Sequence, residues 1–217
     1  MTTLHQTVVL GPLALPGDLL LPAGAAGLVI FAHGSSSHHR SGRNRAVAQD
    51  LQRRRIGTLL FDLLTPQEAQ QHDHKFDIEL LAQRLLLALD WVRALPAALS
   101  LPLGLYGAST GAAAALVASA QRPREVAALV SCGGRPDLAG PMLGDVRSPT
   151  LLIVGGADAQ VLQCNLTAFA KLKCEKKLEI VPRATHLFAE AGAMERVVHL
   201  TRDWFAGHFG IQPAPHG

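Results

Sequence analysis

Three features of this sequence predict an α/β fold, a mainly parallel sheet flanked by helices on both faces. Short apolar runs of strand length recur along it, the first being Gly27–Ala32 and the others covering 58–61, 103–106, 127–131, 150–154 and 178–181. Segments with helical periodicity separate most of them. Polar residues able to do chemistry stand just beyond the C-terminal ends of several runs, where the functional loops of a parallel sheet gather.

Composition agrees with that reading. The chain has 217 residues, 48% of them hydrophobic and 17% charged, which suits one domain over 1–217 with a large buried sheet and argues against disorder. No apolar run approaches ~18 residues, so no membrane partner is expected. The N-terminus lacks the basic start and long apolar core of a secretory leader. Cys132, Cys164 and Cys174 are too irregularly spaced for a disulfide framework or a Cys-x-x-Cys metal site. A cytoplasmic location follows as the expectation. The net charge of +3 is mild, and no aromatics interleave with the arginines between 40 and 55, so no nucleic-acid partner is expected. Oligomeric state leaves no mark.

Taken in order, 7–10 and 18–21 are apolar segments separated by Gly11, Pro12, Pro16 and Gly17, a pattern for an antiparallel hairpin at the sheet's edge. The run at 27–32 ends in His33-Gly34-Ser35-Ser36-Ser37, and a helix is expected over 44–54. The strand at 58–61 ends at Asp62. Over 76–92, Ile78, Leu81, Ala82, Leu85, Leu89 and Val92 form one stripe at i, i+3, i+4 spacing, which predicts a helix. The strand at 103–106 leads through a turn into an alanine-rich helix. Strands at 127–131, 150–154 and 178–181 follow, with helices expected over 161–173 and 194–209. The stretch 133–149 is rich in Gly and Pro, which leaves no room for a multi-helix lid.

The organising stretch is Gly107-Ala-Ser109-Thr-Gly111, a Gly-x-Ser-x-Gly pattern between a strand and a helix. That context places Ser109 on a strained turn as a candidate nucleophile, with the backbone N–H of Thr110 as one oxyanion donor. The loop after the strand at 27–32 is expected to supply the second donor, at Ser35. Asp158 follows the strand at 150–154, and His186 follows the strand at 178–181. Serine is a poor nucleophile unless an imidazole takes its proton, and a carboxylate is needed to orient that imidazole. Ser109, Asp158 and His186 stand in the chain order serine, acid, histidine. Asp137 is a second candidate for the acid, because some folds of this kind carry it one strand earlier. Arg40 and Arg43, near the oxyanion loop, are candidates for binding an anionic group on a substrate. His72-Asp73-His74 lacks a third ligand at a recognisable spacing, so no metal is expected there.

Four pieces together, Phe31-Ala-His33-Gly34-Ser35, Gly107-Ala-Ser109-Thr-Gly111, Val154-Gly-Gly-Ala-Asp158 and Ala184-Thr-His186-Leu-Phe188, carry a family resemblance. Nearly end to end, the chain resembles a compact α/β-hydrolase of the dienelactone hydrolase-like group. The resemblance implies an α/β-hydrolase fold with minimal or no cap domain and an open site. It also implies hydrolysis of small soluble carboxylic esters through an acyl-enzyme, without a cofactor. Dienelactone hydrolases proper use a cysteine nucleophile. Serine at position 109 therefore favours an esterase. Lactone or thioester hydrolysis by the same residues is the alternative, and a non-catalytic ligand-binding module is the alternative of a different class.

Overall fold

A computed structural model describes residues 2–34 and 38–211. The chain runs β1 (Leu4–Leu10), β2 (Leu15–Leu21), β3 (Gly27–Ala32), α1 (Gly42–Arg53), β4 (Ile56–Phe61), α2 (Ile78–Arg93), β5 (Leu103–Ala108) and α3 (Thr110–Gln121). It continues through β6 (Val126–Cys132), β7 (Thr150–Gly155), α4 (Ala159–Lys171), β8 (Lys176–Val181) and α5 (Ala193–His208). Short 3-10 turns lie at Glu68–Gln70, Asp73–Lys75 and Pro136–Asp145, the last broken at Gly140, where φ is 56°.

The strands form a sheet ordered β1-β2-β4-β3-β5-β6-β7-β8. The first two make the expected hairpin, with β1 on the edge and β2 pairing antiparallel to β4, and every later pair is parallel. From β3 the chain first moves to one side, to β4, and then to the other, to β5. The order therefore reverses between β3 and β5, and a crevice opens beyond their C-terminal ends. Register places Ala32 opposite Gly107 there.

Alternation along the central strands builds two cores from one sheet, because successive side chains of a strand point to opposite faces. Leu28, Ile30 and Leu105 point to one face and pack with Leu81, Leu85 and Leu89 of α2 and the alanines of α3. Val29, Phe31 and Tyr106 point to the other and pack with Val47 and Leu51 of α1 and Val197 and Phe205 of α5. The stripe predicted on α2 is its buried face, although Ile78 at its start is only partly covered. That helix begins at Ile78, two residues later than expected, because the Asp77 side chain accepts the Leu80 N–H at 2.9 Å and caps it. Phe76 stays outside and packs on His72, with ring centroids 4.8 Å apart. Over Thr110–Ser119, α3 is buried on all sides. Only a run as small as Ala112-Ala-Ala-Ala115 lets a helix pass that closely between the sheet and α2.

Candidate active site

Ser109 links the tip of β5 to α3 with φ 53° and ψ −123°, a region that L-residues occupy at a cost of roughly 1–3 kcal/mol. Its neighbours hold it there. The Ser109 N–H donates to Cys132 O at 3.4 Å, and Ser109 O accepts the N–H groups of Ala112 and Arg135, each at 3.1 Å. The flanking glycines are required by contact. A Cβ on Gly107 would stand 2.5 Å from Ala112 Cα, and one on Gly111 would strike the carbonyl oxygens of Ala32 and His33. Thr110 is the first residue of α3, so its N–H is among those the helix itself leaves without an acceptor.

Asp158 and His186 meet because the loops after β7 and β8 continue the pairing of their strands. Gly156 N–H donates to Val181 O at 2.8 Å and Ala157 N–H to Ala184 O at 2.9 Å. The next residue is Asp158. Its Oδ1 accepts the Val161 N–H at 3.4 Å at the start of α4, and its Oδ2 lies 2.9 Å from His186 Nδ1. The helix-capping role and the histidine-pairing role thus belong to one side chain, each using a different oxygen. A carboxylate can only accept, so Nδ1 carries the hydrogen and Nε2 is left as the basic nitrogen. The His186 side chain is 41% exposed. Ser109 and His186 line one cleft together with Arg43, Tyr106, Cys132 and Met194.

The other candidates fall in different places. Asp137 is held by Arg135 in a two-point pair, Nε to Oδ1 at 2.9 Å and Nη2 to Oδ2 at 2.8 Å, and that pair draws its carboxyl below the usual range. Arg43 lies on the cleft wall, with Nη1 3.5 Å from Leu187 O. Arg40 turns towards His39, its Nε donating to His39 Nε2 at 3.3 Å. Ser35 lies outside the described residues. His72, Asp73 and His74 are in and beside a 3-10 turn, and among the described residues no group of three or more His, Cys, Asp or Glu side chains could hold a metal ion.

Several neighbours of the site escaped sequence reasoning. Cys132 stands opposite Ala108 in the β5–β6 register and is buried at the cleft wall, which pushes its thiol up to about 11 and keeps it protonated. Around Asp62, two histidines tie the β3 and β4 loops together. His39 Nδ1 lies 2.9 Å from Asp62 Oδ2, and the His39 N–H donates to Oδ1 at 2.8 Å. His33 Nδ1 bonds to Gly34 O at 3.0 Å, and His33 Nε2 accepts the Leu63 N–H at 3.2 Å, so the ring is the neutral Nδ1–H tautomer. Burial lowers its pKa from 6.5, against the raising effects of the Gly34 bond and Asp62. The segment 63–76 is largely exposed, but Leu63 and Leu64 at its start are buried. It folds over an apolar hollow beside Gly34 and Thr110.

A crystal structure of dienelactone hydrolase from Anabaena variabilis is 48% identical to this chain and superimposes with a TM-score of 0.91, covering 95% of this chain and 99% of that one. The chain belongs to the dienelactone hydrolase-like α/β-hydrolases. Two Mycobacterium tuberculosis proteins, provisionally named phosphoribosyl transferases, are 51% identical to it over 97% of the chain. The chain spans about half of their length, 47%. Est1E from Butyrivibrio proteoclasticus shares the fold, with a TM-score of 0.77 at 14% identity over 97% of this chain and 100% of that one. No family model matches the chain. Among the described residues, no helix of this hydrolase-fold chain is long and apolar enough to cross a membrane.

Proposed function

We propose that this protein hydrolyses small carboxylic esters through an acyl-enzyme formed on Ser109. The observation that carries the reading is the 2.9 Å contact of His186 Nδ1 with Asp158, in the same cleft as a serine held at φ 53°. His186 Nε2 takes the Ser109 proton as Oγ attacks the ester carbonyl carbon. The tetrahedral oxyanion is met by the Thr110 N–H and, on the sequence reading, the Ser35 N–H. The imidazolium then returns its proton to the departing alkoxide. Water, deprotonated by the same nitrogen, attacks the acyl-enzyme and releases the acid. Asp158 holds the ring and stabilises its cation.

The neutral Cys132 thiol beside the serine is no competitor, since the thiolate is the reactive form. Nothing in this cycle calls for a cofactor. Arg43 on the cleft wall would favour esters with an acidic group, and Arg40, turned aside, would contribute less. The free thiols Cys132, Cys164 and Cys174 accord with a reducing cytoplasm.

A fluorophosphonate probe tests the reading. It should place one label per chain, on Ser109, and the Ser109→Ala protein should lose both label and ester turnover. Full turnover by that variant would sink the proposal. Labelling without turnover on any ester, thioester or lactone of a panel would point to a ligand-binding module.

A further inference from the structure

The hollow under segment 63–76 has a volume of about 120 Å³ and is walled mainly by Leu63, Leu64, Ala69 and Leu81, with Asp62 and Lys75 also on its lining. It opens beside the nucleophile. Gly34 lines both this hollow and the Ser109 cleft, and a Cβ on Gly34 would stand 3.5 Å from Ser109 Oγ. Thr110, the first oxyanion donor, forms part of its wall.

The first turn of the roof is closed on itself and tied to α2 through Glu68. Glu68 Oε2 accepts the Thr65 N–H at 2.9 Å, while Thr65 Oγ1 accepts the Glu68 N–H at 3.2 Å. The other Glu68 oxygen takes Arg84 Nη2, from α2, at 2.8 Å. Glu68 is thus bonded on both oxygens, and the turn carrying Ala69 is latched to the helix that carries Leu81.

Direction follows from proton transfer. His186 must deliver its proton to the leaving oxygen, so the alcohol half of an ester departs on the side of the imidazole. His186, Arg43 and Met194 line the cleft but not the hollow. The acyl half therefore projects away from them, past Thr110 and Gly34. An apolar cavity of about 150 Å³ holds a benzene ring, so 120 Å³ accommodates roughly four to five aliphatic carbons.

Resting on the ester-hydrolase reading above, we propose that this hollow is the acyl pocket, that it takes a straight aliphatic chain of about four to five carbons beyond the carbonyl, and that the roof latched by Glu68 and Arg84 sets that length.

The test is kcat/KM for two ester series, nitrophenyl esters of lengthening acids and acetates of lengthening alcohols. The acyl series should rise roughly fourfold per methylene up to pentanoyl or hexanoyl and then level, while the alcohol series stays flatter. Ala69→Phe, at an exposed position of the roof, should lower the hexanoate-to-acetate ratio at least tenfold, with Ala69→Leu giving a smaller shift in the same direction. Arg84→Met, which frees the latch, should raise the octanoate-to-hexanoate ratio. An unchanged hexanoate-to-acetate ratio in both Ala69 variants would overturn the assignment, as would a response confined to the alcohol series. Fluorophosphonate labelling separates the two claims. A labelled Ser109 with unmoved ratios removes the pocket and leaves the hydrolase, whereas an unlabelled wild-type protein removes the hydrolase reading and the pocket with it.

Discussion

His186 Nδ1 lies 2.9 Å from Asp158 Oδ2, and His39 Nδ1 lies 2.9 Å from Asp62 Oδ2. Both aspartates stand beyond the C-terminal ends of parallel strands. The surroundings of the second ring nitrogen separate the pairs. His39 is 8% exposed; its Nδ1 faces Asp62 without hydrogen-bond geometry, whereas His186 Nδ1 is hydrogen-bonded to Asp158, and the His39 Nε2 accepts a hydrogen bond from Arg40. His186 is 41% exposed, and among the described residues nothing bonds its Nε2. A histidine–carboxylate pair is therefore no mark of catalysis by itself. An open Nε2 in the same cleft as a strained serine is the discriminating feature.

The sharpest way to break this comparison is to remove the groups on the open side. Ser109→Ala and His186→Ala should each lower kcat for ester hydrolysis by about 10⁴ to 10⁶, read by steady-state kinetics. Next comes the pair of aspartates. Asp158→Asn should cost on the order of 10⁴ in kcat with little change in melting temperature. Asp62→Asn should do the reverse, a loss within about tenfold in kcat and a destabilisation of roughly 1–3 kcal/mol, seen as a lower melting temperature. Equal kinetic losses for the two would show that the buried pair takes part in the chemistry.

A third measurement uses pH. Burial holds the His33 pKa below 6.5 in the folded state, so as pH falls past about 6.5 the unfolded chain takes up a proton that the native one refuses. The stability is complete above that pH and is lost below it, by at most roughly 1.4 kcal/mol per pH unit for this one group. Urea unfolding at pH 7.5, 6.5 and 5.5 should show the decline, and His33→Gln should flatten it. A slope unchanged by the substitution would mean that another group carries the acid sensitivity. The smallest effect concerns the cleft wall. Arg43→Gln should raise KM a few-fold for esters bearing a carboxylate and leave neutral esters less affected, with Arg40→Gln weaker still, as expected of exposed charges screened by solvent.

Much of the scaffold was legible because its signals are local. Continuous apolar runs marked the buried strands, with Gly27–Ala32 correct to the residue. The strained turn at Ser109 declared itself through glycines that the backbone requires on either side of it. Element ends were less legible where a side chain intervened. Asp158 starts α4 at Ala159, two residues before the predicted start, because it caps the helix and pairs with His186 at once. Nothing local announced that His39 would meet Asp62, since the carboxylate's alternatives at that point of the chain include solvent and every nearby arginine.

The sequence alone determined the strand and helix succession, the strained serine and the order of serine, acid and histidine, because each depends on spacing and turn chemistry within a few residues. Only the tertiary structure decided which acid reaches His186. It gave Asp137 to Arg135 and Asp158 to the histidine, through backbone bonds that zip the β7 and β8 loops together. It also decided that segment 63–76, though largely exposed, borders a hollow. That outcome joins Leu64, Leu81 and Thr110, which are distant in sequence and become neighbours only once β5 inserts beside β3 and carries α3 against α2.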